Sequence, residues 1–266
     1  MEKPEVVVLI PHYNNPNGLI KSIESINESE PVDLLIVDDG STDYFINETA
    51  IMSKNSNNLK IYFLYLEKNM GIEYALNAGL EQLSKLKYTF ISRLDCGDLC
   101  VPNRFLIQKQ YLKEHQDIGI VGSFVKFIDS SNKHIFDLKL PISHKEISKR
   151  MYLNCMFIHP TVMFRAEVLG KVGKYPTNYE AAEDYAYFFE ILKHYKGANI
   201  NQFLVECELN PNGISIKKRK RQIISRIRLI IKNFKLGVYP IYGLVRNLII
   251  YLLPYNAIVL LKSKRK

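Results

Sequence analysis

Residues 88–100 read YTFISRLDCGDLC. The run opens as a strand, with aromatic and β-branched residues, and then breaks into Arg93, Asp95, Gly97 and Asp98. Two carboxylates around a glycine at a strand's end make either a tight turn or a site for a metal and a phosphate. The flanking sequence has to decide between them.

Upstream, the same strand-then-polar pattern recurs. EVVVLI (5–10) is too short for a buried helix and rich in β-branched residues, so it reads as a buried strand. PHYNNPNG follows as loop, then a helix with Leu19, Ile20, Ile23 and Ile26 on one face. DLLIVDD (33–39) is a second strand, broken by GSTD, where Ser41 or Thr42 is placed to cap a following helix. KIYFLYLE (60–67) is a third strand. Residues 71–86 form a helix with Ile72, Ala75, Leu76, Gly79, Leu80 and Leu83 on one side, and KYTFIS is the fourth strand. This alternation predicts an α/β fold with a mostly parallel sheet flanked by helices. In such sheets ligands bind beyond the carboxyl ends of the strands, so PHYNN, DDGSTD and RLDCGD should converge on one crevice. Downstream, IGIVGSFVKFID reads as one or two strands and MFIHPTVMFR as a strand running into a helix. YEAAEDYAYFFEILKHY reads as a helix with Ala182, Tyr185, Phe189 and Leu192 in a stripe.

Composition, at 47% hydrophobic and 24% charged, is that of a globular chain and argues against general disorder. The apolar run at the start is short and broken by Pro11, so no secretory signal is expected. Four cysteines without a framework spacing fit a reducing cytoplasm, and Cys96 and Cys100 lack the second pair a zinc site needs.

The net charge of +9 is unevenly spread. Fourteen basic residues and no acid follow Leu209, which leaves 22 basic residues against 27 acids in the body. The chain therefore divides into a mildly acidic body, 1–215, and a strongly basic tail, 216–266, with KKRKR (217–221) at the boundary. On a helical wheel Ile216, Ile223, Ile224, Ile227, Ile230, Ile231 and Phe234 fall within an arc of about 120°, with Arg228, Lys232 and Lys235 outside it. The segment 241–261 is apolar apart from Arg246, Asn247, Pro254 and Asn256. It is nominally long enough to span a bilayer, but the arginine, the proline and the basic flanks argue against that. The expectation is an interfacial helix pair on an anionic membrane surface, with a true span or packing on the body as alternatives. Nucleic acid is not expected, because an apolar stripe does not suit it.

The predicted crevice collects Tyr13, Asp38, Asp39, Arg93, Asp95 and Asp98. An aromatic ring can stack on a base, a carboxylate can accept a base N–H or a ribose hydroxyl, and further acids can hold a divalent cation on phosphates. No G-x-G-x-x-G follows the first strand and no phosphate-binding G-x-x-x-x-G-K-[ST] occurs. Phosphates here need a metal or basic residues. Each cluster alone reads as a turn, a helix cap or a packed tyrosine. Their recurrence at equivalent strand ends favours the binding site.

VVVLIPHYNN, LLIVDDGSTD, NMGIEYALNAGL, ISRLDCGDLCVPNRFLIQKQ, HPTVMFRAEVLGKVGKY and EDYAYFFEI, in that order over residues 4–195, resemble the family 2 glycosyltransferases of GT-A (Rossmann-like) fold. The resemblance implies inverting transfer of a sugar from a nucleotide-sugar, a UDP-sugar in the first instance, with Mg2+ or Mn2+. It places Pro11 and Tyr13 at the base, with Tyr13 stacking, and Asp39 at the base edge. Arg93 falls near the diphosphate, Asp95 and Asp98 at the metal, His159 toward the acceptor, and Asp184 as general base. With the tail placing the enzyme peripherally on the inner face of the cell membrane, the expected acceptor is a hydroxyl of a lipid-linked or cell-surface glycan, as in lipopolysaccharide or capsule assembly. The family pattern is Asp-x-Asp-Asp, whereas this chain has Asp95-Cys96-Gly97-Asp98. Three outcomes are open: Asp95 or Asp98 holds the metal, the metal is held mainly by donor phosphates and water, or Arg93 and other cations replace it. The same glycine motivates a rival reading, a catalytically silent nucleotide-binding scaffold at the membrane. A nucleotidyltransferase is disfavoured because PHYNNPNG carries no lysine or arginine. Oligomeric state is left open.

Overall fold

The computed structural model describes residues 4–54, 59–209 and 217–253. Nine strands form one sheet in the order β3-β2-β1-β4-β8-β6-β9-β5, with β7 paired to β6. The first half is the predicted alternation: β1 (Val6–His12), α1 (Pro16–Glu24), β2 (Asp33–Asp38), α2 (Glu48–Lys54), β3 (Lys60–Tyr65), α3 (Ile72–Ser84) and β4 (Phe90–Arg93). These four strands are parallel, with Leu9 opposite Leu35 on one side and Arg93 on the other. The unbroken apolar run of β1 follows from burial on both faces. Val7 and Leu9 pack with Ala75, Leu76 and Leu80 of α3, while Val6, Val8 and Ile10 pack with Leu19 and Ile23 of α1. α1 starts where Pro16 presets its first turn and the Asn15 side chain accepts the Gly18 N–H at 3.0 Å.

The second half departs from a simple alternation. β5 (Leu99–Cys100), α4 (Arg104–Glu114), β6 (Ile118–Ile128), β7 (His134–Leu138), α5 (His144–Arg150), β8 (Met163–Arg165), α6 (Glu167–Val172), α7 (Glu183–Ile191) and β9 (Lys196–Glu208) follow in order. β8 inserts antiparallel between β4 and β6, and β9 lies parallel to β6. IGIVGSFVKFI is therefore one long strand. MFIHPTVMFR is mostly loop and a 3-10 turn (His159–Thr161) with strand only at its end. The helix read from residue 179 starts at Glu183, with Ala182 as its cap.

Two helices follow, α8 (Arg219–Lys232) and α9 (Val238–Leu252). α8 lies on the body: Ser225 donates to the Glu180 carbonyl at 3.0 Å and Arg228 to the Asn178 carbonyl at 3.1 Å. α9 lies against α8 and the 150s loop, where Arg246 donates to the Leu153 carbonyl at 2.8 Å. The expected stripe splits between two environments. Ile223 and Ile230 are buried, whereas Ile224, Ile231 and Phe234 are exposed. Ile216, the 215/216 boundary and the segment from Pro254 onward lie outside the described residues. Among the described residues, no helix is long and apolar enough to cross a membrane.

Candidate functional site

The C-terminal ends of β2, β1 and β4 lie side by side, so their loops meet as the sequence predicts. Asn14, at φ +50°, joins two of them. Its side-chain oxygen accepts the N–H groups of Thr42, Asp43 and Tyr44 at 3.1–3.3 Å, and its own N–H donates to the Ser41 hydroxyl at 2.9 Å. Ser41 caps no helix. Its hydroxyl donates to Asp38 at 2.6 Å, and α2 begins only at Glu48, with the Asn47 side chain accepting the Ala50 N–H. Local side-chain bonding at the strand end has displaced the cap. Pro11 is the penultimate residue of β1, opposite Val37, and Tyr13 stands exposed just beyond the strand.

Asp38 and Asp39 are both buried. Asp38 takes the Ser41 N–H and faces Nδ1 of the buried His12 at 3.3 Å. Nε2 of His12 accepts the Asn15 N–H at 3.1 Å, which assigns the proton to Nδ1. Burial holds His12 below its ordinary pKa against the pull of Asp38. The two oxygens of Asp39 accept the N–H groups of Met70 and Gly71, at 3.0 and 2.9 Å, just ahead of α3. Each oxygen keeps a lone pair for a further donor.

Arg93 sits beneath the crevice rather than in it. It is fully buried, and Nη1 donates to the Leu9 carbonyl at 2.5 Å, Nη2 to Asp95 at 2.5 Å, and Nε to His159 at 3.4 Å. Its link to the crevice is through Asp95, whose side chain is 33% exposed. His159 accepts a second hydrogen bond from the Tyr175 hydroxyl at 3.0 Å, and burial beside Arg93 drives its pKa well down, so it is a neutral acceptor. Arg104, which sequence reading missed, fixes the level of this layer. Fully buried, it donates to the carbonyls of Arg93 and Pro160 at 2.7 and 2.6 Å. No periodic signal marks a buried arginine whose partners are carbonyls.

Residues 95–98 form a turn closed by Asp98 N–H to the Asp95 carbonyl at 3.1 Å, with Gly97 at φ +105°. That geometry favours glycine at the third position. Asp98 points inward. Its carboxylate accepts the Glu208 N–H of β9 at 2.9 Å, and burial pushes its pKa up to about 8. Asp95 and Asp98 therefore do not form a paired ligand set. Among the described residues, no group of three or more His, Cys, Asp or Glu is arranged for a metal ion. Of the two acids of this turn, Asp95 is the one that offers a hard oxygen at the surface, which suits Mg2+ or Mn2+ that takes its other ligands from phosphate and water. Glu208 flanks the turn, its Oε2 lying 3.7 Å from where a side chain at position 97 would begin.

Opposite this turn, the first residues of α7 bring Glu183 and Asp184 toward Asp95. All three carboxylates interact electrostatically. Burial raises the pKa of Glu183 and of Asp184. Asp184 opens on a cavity of about 270 Å³, shared with Asn154, Cys155, His159, Gln222 and Arg226.

A crevice at the ends of parallel strands, with an acidic turn on one wall and a helix-borne carboxylate on the other, defines a glycosyltransferase of GT-A fold. The chain matches glycosyl transferase family 2 over residues 7–173 and belongs to that family. It is 27% identical over 227 residues to the amylovoran biosynthesis glycosyltransferase AmsE of Erwinia amylovora, covering 84% of this chain and 83% of that protein. It is 28% identical over 232 residues to the UDP-Gal:alpha-D-GlcNAc-diphosphoundecaprenol beta-1,3-galactosyltransferase of Escherichia coli, covering 85% and 82%. The mannosyltransferase PcManGT from Pyrobaculum calidifontis, in complex with GDP-Man and Mn2+, superposes with a TM-score of 0.63 at 15% identity over 92% of this chain and 69% of that one. At that identity the likeness speaks for the fold.

Proposed function

We propose that the protein transfers a sugar, with inversion, from a UDP-sugar to a hydroxyl of a lipid-linked glycan on the inner face of a cell membrane. The observation that carries this reading is the position of Asp184: a carboxylate at the start of α7, turned to a cavity and near enough to Asp95 to interact with it. The donor lies along the strand ends. Tyr13 stacks on the base beside Pro11, and Asp39, held rigid by Met70 and Gly71, takes a base N–H. The acceptor hydroxyl enters from the cavity. Its oxygen attacks the anomeric carbon, its proton passes to the Asp184 carboxylate, and the bond to the nucleoside diphosphate breaks on the far side. Asp95 is the residue that would hold a divalent cation, and such a cation would supply charge neutralisation for the leaving group. Arg93 keeps Asp95 oriented for that task. The relatives support the choice of donor and acceptor: a name such as that of the Escherichia coli enzyme pairs a UDP-sugar with a lipid diphosphate.

The scaffold reading loses its main motive in the backbone at Gly97. The turn's positive φ is a backbone reason for a glycine there that is independent of activity. The test is an incubation with polyprenyl-diphosphate-linked sugar and a panel of UDP-, GDP- and dTDP-sugars, read by product mass and by the anomeric configuration of the new bond. Transfer from a UDP-sugar with inversion is expected. UDP binding with neither transfer nor slow donor hydrolysis would establish the scaffold instead.

A further inference from the structure

The cavity at Asp184 has a wall from α8, and two polar groups lining it have no hydrogen-bond partner among the described residues. Asn154 Oδ1 is buried without a hydrogen bond. Arg226 is largely buried, and among the described residues it makes no hydrogen bond or ion pair. Its neighbours on the same helix behave differently. Arg221 holds Glu180 at 2.7 Å, Arg228 holds the Asn178 carbonyl and Lys232 holds Glu190 at 3.1 Å. A guanidinium removed from water with all its donors unspent is costly. An acceptor oxygen and a set of donors left open in one cavity describe a site for a ligand with hydroxyl groups. At about 270 Å³ the cavity lies just below the usual span of ligand sites, about 300 to 1,000 Å³. That size matches a single sugar ring better than a whole nucleotide-sugar.

The register between α8 and Asp184 is fixed. Gln222 donates to the Ala181 carbonyl at 2.8 Å and Ser225 to that of Glu180. Ala181 carries φ +57°, a conformation that an alanine holds only when its surroundings impose it. It stands three residues before Asp184, and α8 is the element that clamps it. The Tyr185 N–H donates to Asp184 Oδ1 at 2.6 Å and favours its ionisation, while the carboxylates of Asp95 and Glu183 oppose it. Arg226 is the cation set against them.

Building on the reading of Asp184 as the base, we propose that Arg226 is a positioning residue of the transfer reaction: its guanidinium faces Asp184 across the cavity and holds that carboxylate ready for an acceptor sugar hydroxyl, with Gln222 and Asn154 bonding to the same sugar ring. The basic helix then serves chemistry as well as attachment.

The experiment titrates the Asp184 carboxyl carbon by 13C NMR in the full-length protein, with EDTA present, in wild type, R226Q, R226M and R226K. An opposite charge at close range lowers a carboxyl pKa by about 1–3 units. The Asp184 midpoint should therefore rise by about one unit or more in R226Q and R226M and stay near wild type in R226K. R226M keeps the aliphatic stem, so it carries the test if R226Q fails to fold. In transfer assays the acid limb of kcat/KM should move up by the same amount, with donor KM unchanged. An unmoved midpoint in the neutral variants, or a loss of rate equal at every pH, overturns the proposal. A wild type that titrates as expected but transfers no sugar overturns the assigned reaction and leaves the pairing intact, so the two failures are distinct.

Discussion

Gly97 and Asp184 set the sharpest tests at the scale of single residues. The variant G97D restores the family's acid but puts an L-residue at φ +105°, which costs about 1–3 kcal/mol, and it aims a carboxylate at Glu208. We expect a lower melting temperature, by roughly 2–4 °C per kcal/mol, and no gain in Mn2+ affinity by calorimetry. A stable variant with tighter Mn2+ binding would show that the turn does not need its glycine. D184N should lower transfer about 100- to 10,000-fold, the range for a general base, while UDP binding is unchanged. An equal loss in UDP affinity would remove Asp184 from that role. His159 gives a pH test. Burial and Arg93 depress its folded pKa, so below about pH 6.5 the unfolded chain binds a proton that the folded one refuses. Stability contributed by neutral His159 is present above that pH and is lost as pH falls. The destabilisation of H159Q, measured from urea midpoints, should therefore be greater near pH 7.5 than near pH 5.5. An equal gap at both would mean that His159 titrates normally.

At the scale of elements, α9 is seated by close approach. A side chain at Gly243 would fall well inside contact distance of the Tyr152 carbonyl oxygen. G243V should lift α9 from the body, seen as new protease cuts between residues 233 and 253 with the sheet still intact by circular dichroism. Unchanged cleavage would mean that the helix tolerates the shift. The elements also show what the sequence made legible. β1, β2, β3 and β4 were plain because both faces of a parallel sheet are covered, which leaves uninterrupted apolar runs between amphipathic helices. β9 was not legible. KGANINQFLVECE interleaves polar residues, among them Asn199, which is buried because its amide donates to the Pro141 and Met156 carbonyls. Its register with β6 shifts more than once, so no period of two survives. The tail's apolar arc read as one face, yet it serves two: Ile223 and Ile230 meet the body and Ile224 and Ile231 do not. In the site, the positions of Asp39, Arg93 and Asp95 followed from strand ends. Their partners did not, since Asp39 bonds to backbone 31 and 32 residues away and Arg93 to His159, 66 residues away.

The whole molecule is polarised, with an acidic body and a basic tail whose outer surface is apolar. Leu236 is 90% exposed and Val238 81%, and Ile241, Leu248 and Leu252 extend the same exposed set along α9. Exposed apolar area of this kind, rimmed by basic residues such as Lys217, Lys220 and Lys235, suits the interface of an anionic bilayer. Each basic residue near such a surface contributes about 1 kcal/mol, and salt screens that part alone. The protein should cosediment with vesicles containing phosphatidylglycerol, less with pure phosphatidylcholine, and salt should weaken the binding without abolishing it. The double variant L236D/V238D should lose vesicle binding. Both positions lie in or next to the α8–α9 connection, apart from the residues lining the Asp184 cavity. The variant should therefore keep its rate on a water-soluble acceptor and lose it on the same sugar carried by a polyprenyl lipid in vesicles. Equal rates on both acceptors would mean that the tail does not bring the enzyme to its substrate. Equal losses on both would mean that the helix pair acts through the cavity that α8 walls, by way of Arg226, and not through the membrane.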